Sequence, residues 1–180
     1  MATWKSRGLR GSVLEEMINY TNSEYADNGL ALVQKIPTPI TPVEMNKSKQ
    51  ITLAYFDQKS TVDYIGTIQG IPVCFDAKEC ATDTFSLQNI HPHQVEFMRR
   101  WEAQDSIAFF LIYFTGIDKF YYLRFRELLT FWDRKENGGR KSFRREELDA
   151  SYYIENCRGT FIPYLEYVQL DINSRNQLTD

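Results

Sequence analysis

The feature that most constrains this chain is the run Asp63, twelve residues, then Asp76-Ala77-Lys78, laid across two strand-like segments, Tyr64 to Gln69 and Ile71 to Glu79, that meet at a glycine. Successive side chains of a strand point to opposite faces, so Asp76 and Lys78 emerge together while Val73, Phe75 and Ala77 turn towards a core. A turn at Gln69-Gly70 folds the first strand back on the second and brings Asp63 towards Asp76. Two acidic oxygens then stand where they can share a divalent cation, with a fixed positive charge beside them. Such a set suits phosphodiester hydrolysis: a carboxylate-held Mg²⁺ polarises the phosphoryl group and lowers the pKa of water, and a lysine steadies the developing charge. The same alternation also describes the solvated face of a half-exposed strand, and spacing alone leaves both readings open.

The surrounding blocks carry a resemblance. Ser60-Thr61-Val62-Asp63-Tyr64-Ile65-Gly66, Phe75-Asp76-Ala77-Lys78-Glu79 and Phe85 to Gln94, with its His91-Pro92-His93-Gln94 ending, resemble the RecU family of Holliday junction resolvases, members of the PD-(D/E)xK nuclease superfamily. Arg10-Gly11 with Leu14-Glu15, Lys35 to Pro39, Ala54-Tyr55-Phe56, Phe131 to Glu136 and Gly139 to Ser142 extend it in the same order, from about residue 7 to about residue 168. The resemblance implies an α/β (α+β) fold: a restriction-endonuclease-like mixed sheet flanked by helices, with a projecting stalk. It implies a cation held by Thr61, Asp63, Asp76 and Gln94, with Lys78 stabilising the transition state. It further implies Mg²⁺ as cofactor with Mn²⁺ as a substitute, DNA binding by Arg10 and Lys35, and a stalk aromatic at Phe56. One position departs from the family pattern: the acid before Ala-Lys is commonly Glu and here is Asp76, one methylene shorter.

By the same resemblance the substrate is a DNA four-way junction cut in recombination and repair. A two-fold substrate needs paired incisions, hence a homodimer. Recombinase or branch-migration proteins are expected partners. A non-catalytic junction-binding or recombinase-modulating protein on the same fold is the alternative, and a structure-insensitive nuclease a lesser one.

Composition is compatible with these readings without selecting among them. The 180 residues, 43% hydrophobic and 25% charged, are ordinary for one globular domain. The formal charge of −3 is not that of a typical nucleic-acid binder, but phosphate is met by a face and not by an average. Lys5, Arg7 and Arg10 stand without an acid between residues 4 and 10. Arg134, Lys135, Arg140, Lys141, Arg144 and Arg145 face only Glu136 between 134 and 145. The second cluster reads equally as a DNA contact or as a solvated helix face paired with Glu146 and Glu147. Cys74, Cys80 and Cys157 are odd in number and lack C-x-x-C spacing, which favours a reducing cytoplasm and no zinc ribbon. No apolar run approaches the length of a membrane span.

Periodicity and punctuation predict a helix from about Ser12 to Tyr25, ended by Asn28-Gly29, and a strand from Leu30 to Gln34. Pro37, Pro39 and Pro42 then interrupt regular structure before a strand at Ile51 to Phe56. The stretch from about 37 to 56 is either a projecting hairpin or a long surface loop, and Lys47 and Lys49 are its candidate DNA contacts. A helix is expected from Pro92 to about Gln104, strands at Ser106 to Thr115 and Lys119 to Phe125, and a helix at Arg126 to Glu136. A short helix capped by Ser142 should reach Leu148, and Asn173 to Asp180 should fray as a disordered tail. Glu15 is either part of the catalytic acid set or an ordinary first-turn acid favouring the helix dipole. His91 and His93 lack a third ligand at zinc-site spacing and read as structural or phosphate-contacting residues. Trp101 and Trp132 read as packing residues, whereas Trp4 sits among basic residues that suit base stacking.

Overall fold

The computed structural model describes residues 13–37, 39–56 and 61–177, with Phe56 described by its backbone alone. The expected contacts at Arg10 and Trp4 lie outside the described residues. The elements are α1 (Val13–Asp27), β1 (Leu32–Lys35), β2 (Ile40–Met45), β3 (Ile51–Phe56), β4 (Tyr64–Ile68), β5 (Ile71–Cys80), β6 (Thr84–Ser86), α2 (Pro92–Glu102), β7 (Ile107–Phe114), β8 (Lys119–Arg124), α3 (Phe125–Glu136), β9 (Ser142–Arg144), β10 (Tyr153–Ile154) and α4 (Tyr164–Asn176). Short 3₁₀ turns occupy Leu87–Asn89, Arg145–Glu147 and Ala150–Tyr152.

A six-stranded mixed sheet in the order β1-β4-β5-β7-β8-β10 forms the centre. Its one parallel pair is β5 with β7, and α2 lies in the crossover that a parallel pair requires. Ile107 to Phe114 is almost continuously apolar, the pattern of a strand covered on both faces, and all of it but Tyr113 is buried. One row of rings ties four strands together. Tyr64 stacks on Phe75 at 4.7 Å, Phe75 on Phe109 at 4.6 Å, and Phe109 on Tyr122 at 4.4 Å. Tyr164 of α4 packs on Phe75 and Phe109, and Tyr25 of α1 packs on Tyr164, so α1 and α4 cover this face. Asp76, one residue out of phase with Phe75, faces the other side, where α2 lies.

The β4–β5 turn has the predicted geometry. Gln69 and Gly70 both have positive φ, 47° and 91°, between the paired Ile68 and Ile71, as a two-residue hairpin turn of matching twist demands. Gly66 is required for a different reason: a Cβ there would lie 2.6 Å from the Cα of Val33 on β1. At the end of α1, Gly29 (φ 67°) closes the helix and the Leu30 N–H still bonds the Tyr25 carbonyl. Leu30 therefore belongs to the helix cap, and β1 begins at Leu32, two residues later than periodicity suggests.

The segment 37–56 is a hairpin. Among the described residues β2 and β3 pair only with each other, joined by a turn in which Asn46 Oδ1 accepts from the Ser48 and Gln50 N–H groups at 2.9 Å.

Two expectations are corrected. Ser142 does not cap a helix reaching Leu148: Ser142 to Arg144 is a strand paired with β6, followed by one 3₁₀ turn. Phe143 decides this by stacking on Phe85 at 5.0 Å and on Phe131 at 4.6 Å, burial that a strand at this place supplies. Of the expected tail, Asn173 to Asn176 is not frayed but completes α4, and residues 178–180 lie outside the described residues. Arg175 bonds Asp171 and Glu102, and Arg126 bonds the Asp171 carboxylate and Ser174, so the last helical turn is tied to α2 and α3.

Candidate active site

The hairpin register pairs Tyr64 with Phe75, and one step further it sets Asp63 opposite Asp76. The Asp63 carboxylate is held in place from the backbone, because the Ala77 N–H donates to its Oδ2 at 3.0 Å. Asp76 is fully buried, contrary to the solvated-strand reading. Gln94 Nε2 donates to its Oδ1 at 2.8 Å, and Lys78 Nζ is in ion-pair contact with its Oδ2. The Lys78 ammonium is the one ion-pair partner of the buried Oδ2 among the described residues. Burial pushes the Asp76 carboxyl up to about 7, against the pull of the Lys78 ammonium and with a further rise from Asp63.

Gln94 links helix to strand. Its Oε1 accepts from the His91 N–H at 3.0 Å at the start of α2, so the amide nitrogen, not its oxygen, faces the carboxylate. Cation binding through Oε1, the role the resemblance implies, therefore requires the amide to turn. Thr61 is half-buried on the bend leading into β4, two residues before Asp63. The rings of His91 and His93 lie 5.4 Å apart and nearly parallel.

Lys35 closes the neighbouring side. It pairs in register with Tyr64, and the Ile36 N–H donates to the Asp63 carbonyl at 2.8 Å. Its Nζ donates to Glu15 Oε2 at 2.7 Å, so two residues given separate roles meet in one ion pair. Tyr64 OH donates to Asn19 Oδ1 at 3.1 Å, which adds a second tie between α1 and the β4–β5 hairpin. Sequence reasoning missed Glu79, whose Oε1 accepts from the Leu14 N–H at 3.2 Å and pins the first turn of α1 to β5 one residue beyond Lys78. No local signal marks such a contact, since its partners are 65 residues apart.

The other candidates lie elsewhere. Lys47 and Lys49 are exposed at the tip of the β2–β3 hairpin, and Phe56 ends β3. Within the second basic cluster, Arg134 and Arg140 both pair with Glu147, Arg145 pairs with Asp83, and Lys135 sits 3.6 Å over the Trp132 ring and pairs with Glu136. Much of that cluster is thus structural.

Among the described residues no group of three or more His, Cys, Asp or Glu is placed to hold a metal ion, and no helix is long and apolar enough to cross a membrane. The oxygen types at the hairpin end, two carboxylates with the Thr61 hydroxyl two residues before Asp63 and the Gln94 amide, are of the hard kind that suits Mg²⁺, and the buried Asp76 Oδ2, with the Lys78 ammonium as its one ion-pair partner among the described residues, fits a cation that would complete it.

Two acids and a lysine on paired central strands of a mixed sheet, flanked by helices, define the class as a restriction-endonuclease-like nuclease. The chain belongs to the RecU family: the family model described as recombination protein U matches residues 9–170. It is 40% identical over 166 residues to the Holliday junction resolvase RecU of Bacillus subtilis (strain 168), covering 89% of this chain and 79% of that protein. It is 41% identical over 167 residues to the Holliday junction resolvase RecU of Pediococcus pentosaceus, covering 89% and 83%. To the protein of the same name from Bacillus cytotoxicus it is 38% identical over 168 residues, covering 91% and 83%.

Proposed function

We infer that this chain is an endonuclease that resolves DNA four-way junctions in recombination and repair by hydrolysing phosphodiester bonds. The observation that carries the reading is the buried Asp76, held between Gln94 and Lys78 and set opposite Asp63, in a chain of this family. A buried carboxylate is costly, and burial raises the Asp76 carboxyl despite the opposing Lys78 ammonium, which supports a site whose charge a cation would balance.

Asp63 and Asp76 would hold Mg²⁺, with Mn²⁺ as a substitute and the Thr61 hydroxyl and the turned Gln94 amide contributing. The cation would supply charge neutralisation at the phosphoryl group and a lowered pKa for water. The protein's own contributions are positional. The Ala77 N–H aims Asp63, and Gln94 and Lys78 hold Asp76 from both sides. The Lys78 ammonium is then available to the charge that grows on the phosphoryl oxygens. Lys35, next to Asp63 and balanced by Glu15, is placed to meet a flanking phosphate, and Arg10, Lys47, Lys49 and Phe56 are the remaining proposed DNA contacts.

A single site addresses one phosphodiester, so paired incision calls for a homodimer. The test is a synthetic four-way junction incubated with the purified protein with and without Mg²⁺. Paired, metal-dependent cuts are expected. Junction binding without cleavage in Mg²⁺ and in Mn²⁺ would overturn the catalytic reading in favour of a junction-binding protein.

A further inference from the structure

We propose that Lys141 and Arg144, at and just before β9, form a second phosphate-contacting ridge that holds one arm of the DNA within about one duplex turn of the cut. The inference rests on the nuclease reading above and adds a surface to it.

The tertiary structure sorts the cations of residues 134–145 into two groups. Arg134, Lys135, Arg140 and Arg145 are paired with acids of the fold. Lys141 and Arg144 are exposed and have no ion pair among the described residues. Long cationic side chains that the fold does not use are the ones free to meet phosphate. Glu146 and Glu147 in the same segment keep its summed charge low, which is why a count along the chain does not reveal the ridge. The paired arginines have a supporting role: with Glu147, which also accepts from the Arg144 N–H at 2.7 Å, they hold the backbone on which the two free cations stand.

Strand geometry sets the direction of Arg144, and Lys141 stands exposed on the bend that leads into β9. Phe143 is buried against Phe85 and Phe131, so Arg144, one residue away, points to the opposite face, and its cross-strand neighbour there is the exposed Thr84. Placement relative to the cut follows from one hydrogen bond. The Leu87 N–H donates to the Lys141 carbonyl at 3.0 Å, and from Leu87 the chain runs through the start of α2 to Gln94, which bonds Asp76. Seven residues of chain span at most about 25 Å, less than one duplex turn of about 34–36 Å. The ridge and the acid pair can therefore engage one continuous arm.

The test compares wild type, the double variant Lys141→Gln/Arg144→Gln, and Lys135→Gln as a cation the fold already uses. Junction affinity is measured against salt concentration, and cleavage at saturating junction. Each phosphate contact adds about 0.9 to the slope of log affinity on log salt, so the double variant should lose about two from that slope and bind several-fold to tens-fold more weakly at low salt. Its cleavage rate at saturation and its melting temperature should match wild type, and Lys135→Gln should keep the wild-type slope. An unchanged slope in the double variant, or an equal loss in Lys135→Gln, overturns the ridge while wild-type cleavage leaves the nuclease reading standing. A wild type that neither binds nor cuts the junction overturns both.

Discussion

At the residue scale the proposed chemistry centres on the buried Asp76. Asp63→Asn and Asp76→Asn preserve side-chain volume and remove the charges proposed to hold the cation. Each should abolish cleavage in Mg²⁺ while leaving junction affinity within a few-fold of wild type, measured by gel cleavage and mobility-shift assays. Lys78→Ala should lower the rate at saturating junction by roughly 10²–10³ with little change in affinity. If affinity fell instead and the rate held, Lys78 would be a phosphate contact. A pH effect follows from burial. The folded carboxyl of Asp76 lies near 7, above the roughly 3.9 of an unfolded Asp, so the metal-free folded state binds the proton more tightly than the unfolded chain does. The stability linked to that proton is fully present below about pH 4 and is lost as pH rises through about 7. Metal-free protein should accordingly melt lower at pH 8 than at pH 6, by an amount on the order of a few kcal/mol at most, and Asp76→Asn should flatten that dependence. By competition with the same proton, Mg²⁺ affinity should rise with pH through this window.

At the element scale the β2–β3 hairpin and α4 pose opposite cases. The hairpin strands bond only each other, and Ile40, Val43, Met45, Ile51, Leu53 and Tyr55 are all exposed. Replacing residues 43 to 52 with a short glycine bridge should leave the six-stranded sheet folded and the Asp63–Asp76 pair intact. Because one metal site cannot sense four converging arms, the ratio of junction to linear-duplex affinity at fixed salt should collapse; an unchanged ratio would refute a stalk role for the hairpin. For α4, docking depends on the fully buried Asp171, which bonds Arg126, Arg175 and Tyr122. Asp171→Ala takes the carboxylate from Arg126 and leaves Arg175 to Glu102, and should cost about 2–3 kcal/mol in denaturant unfolding. This helix was illegible in the sequence because the apolar series Tyr164, Tyr167, Val168 is continued inwards by a charged residue, and only partners from α2 and α3 make that burial tolerable.

At the scale of the whole molecule, two proposed sites must act on one substrate. If the active species is a homodimer, mixing wild type with Asp63→Asn at equal concentration should yield junctions nicked on one strand, about half of the dimers being mixed when exchange is random. Purely additive, paired cutting by the wild-type fraction would argue against shared assembly, and sedimentation of the protein alone supplies the independent check. The division between sequence and fold follows from how far each signal reaches along the chain. The alternation of β5, the Gln69-Gly70 turn, the proline-flanked helix α2 and the apolar run of β7 are set by neighbours a few residues apart, so the sequence by itself determined the β4–β5 hairpin, most of the central sheet and the family. It also singled out Asp63, Asp76 and Lys78 as the proposed site. Only the tertiary structure decided that Asp76 is buried, that Gln94 turns its amide nitrogen towards it, that Lys35 meets Glu15, and which basic residues the fold consumes. Each of these joins residues distant in the chain, and burial and charge pairing are properties of that meeting and of no segment alone.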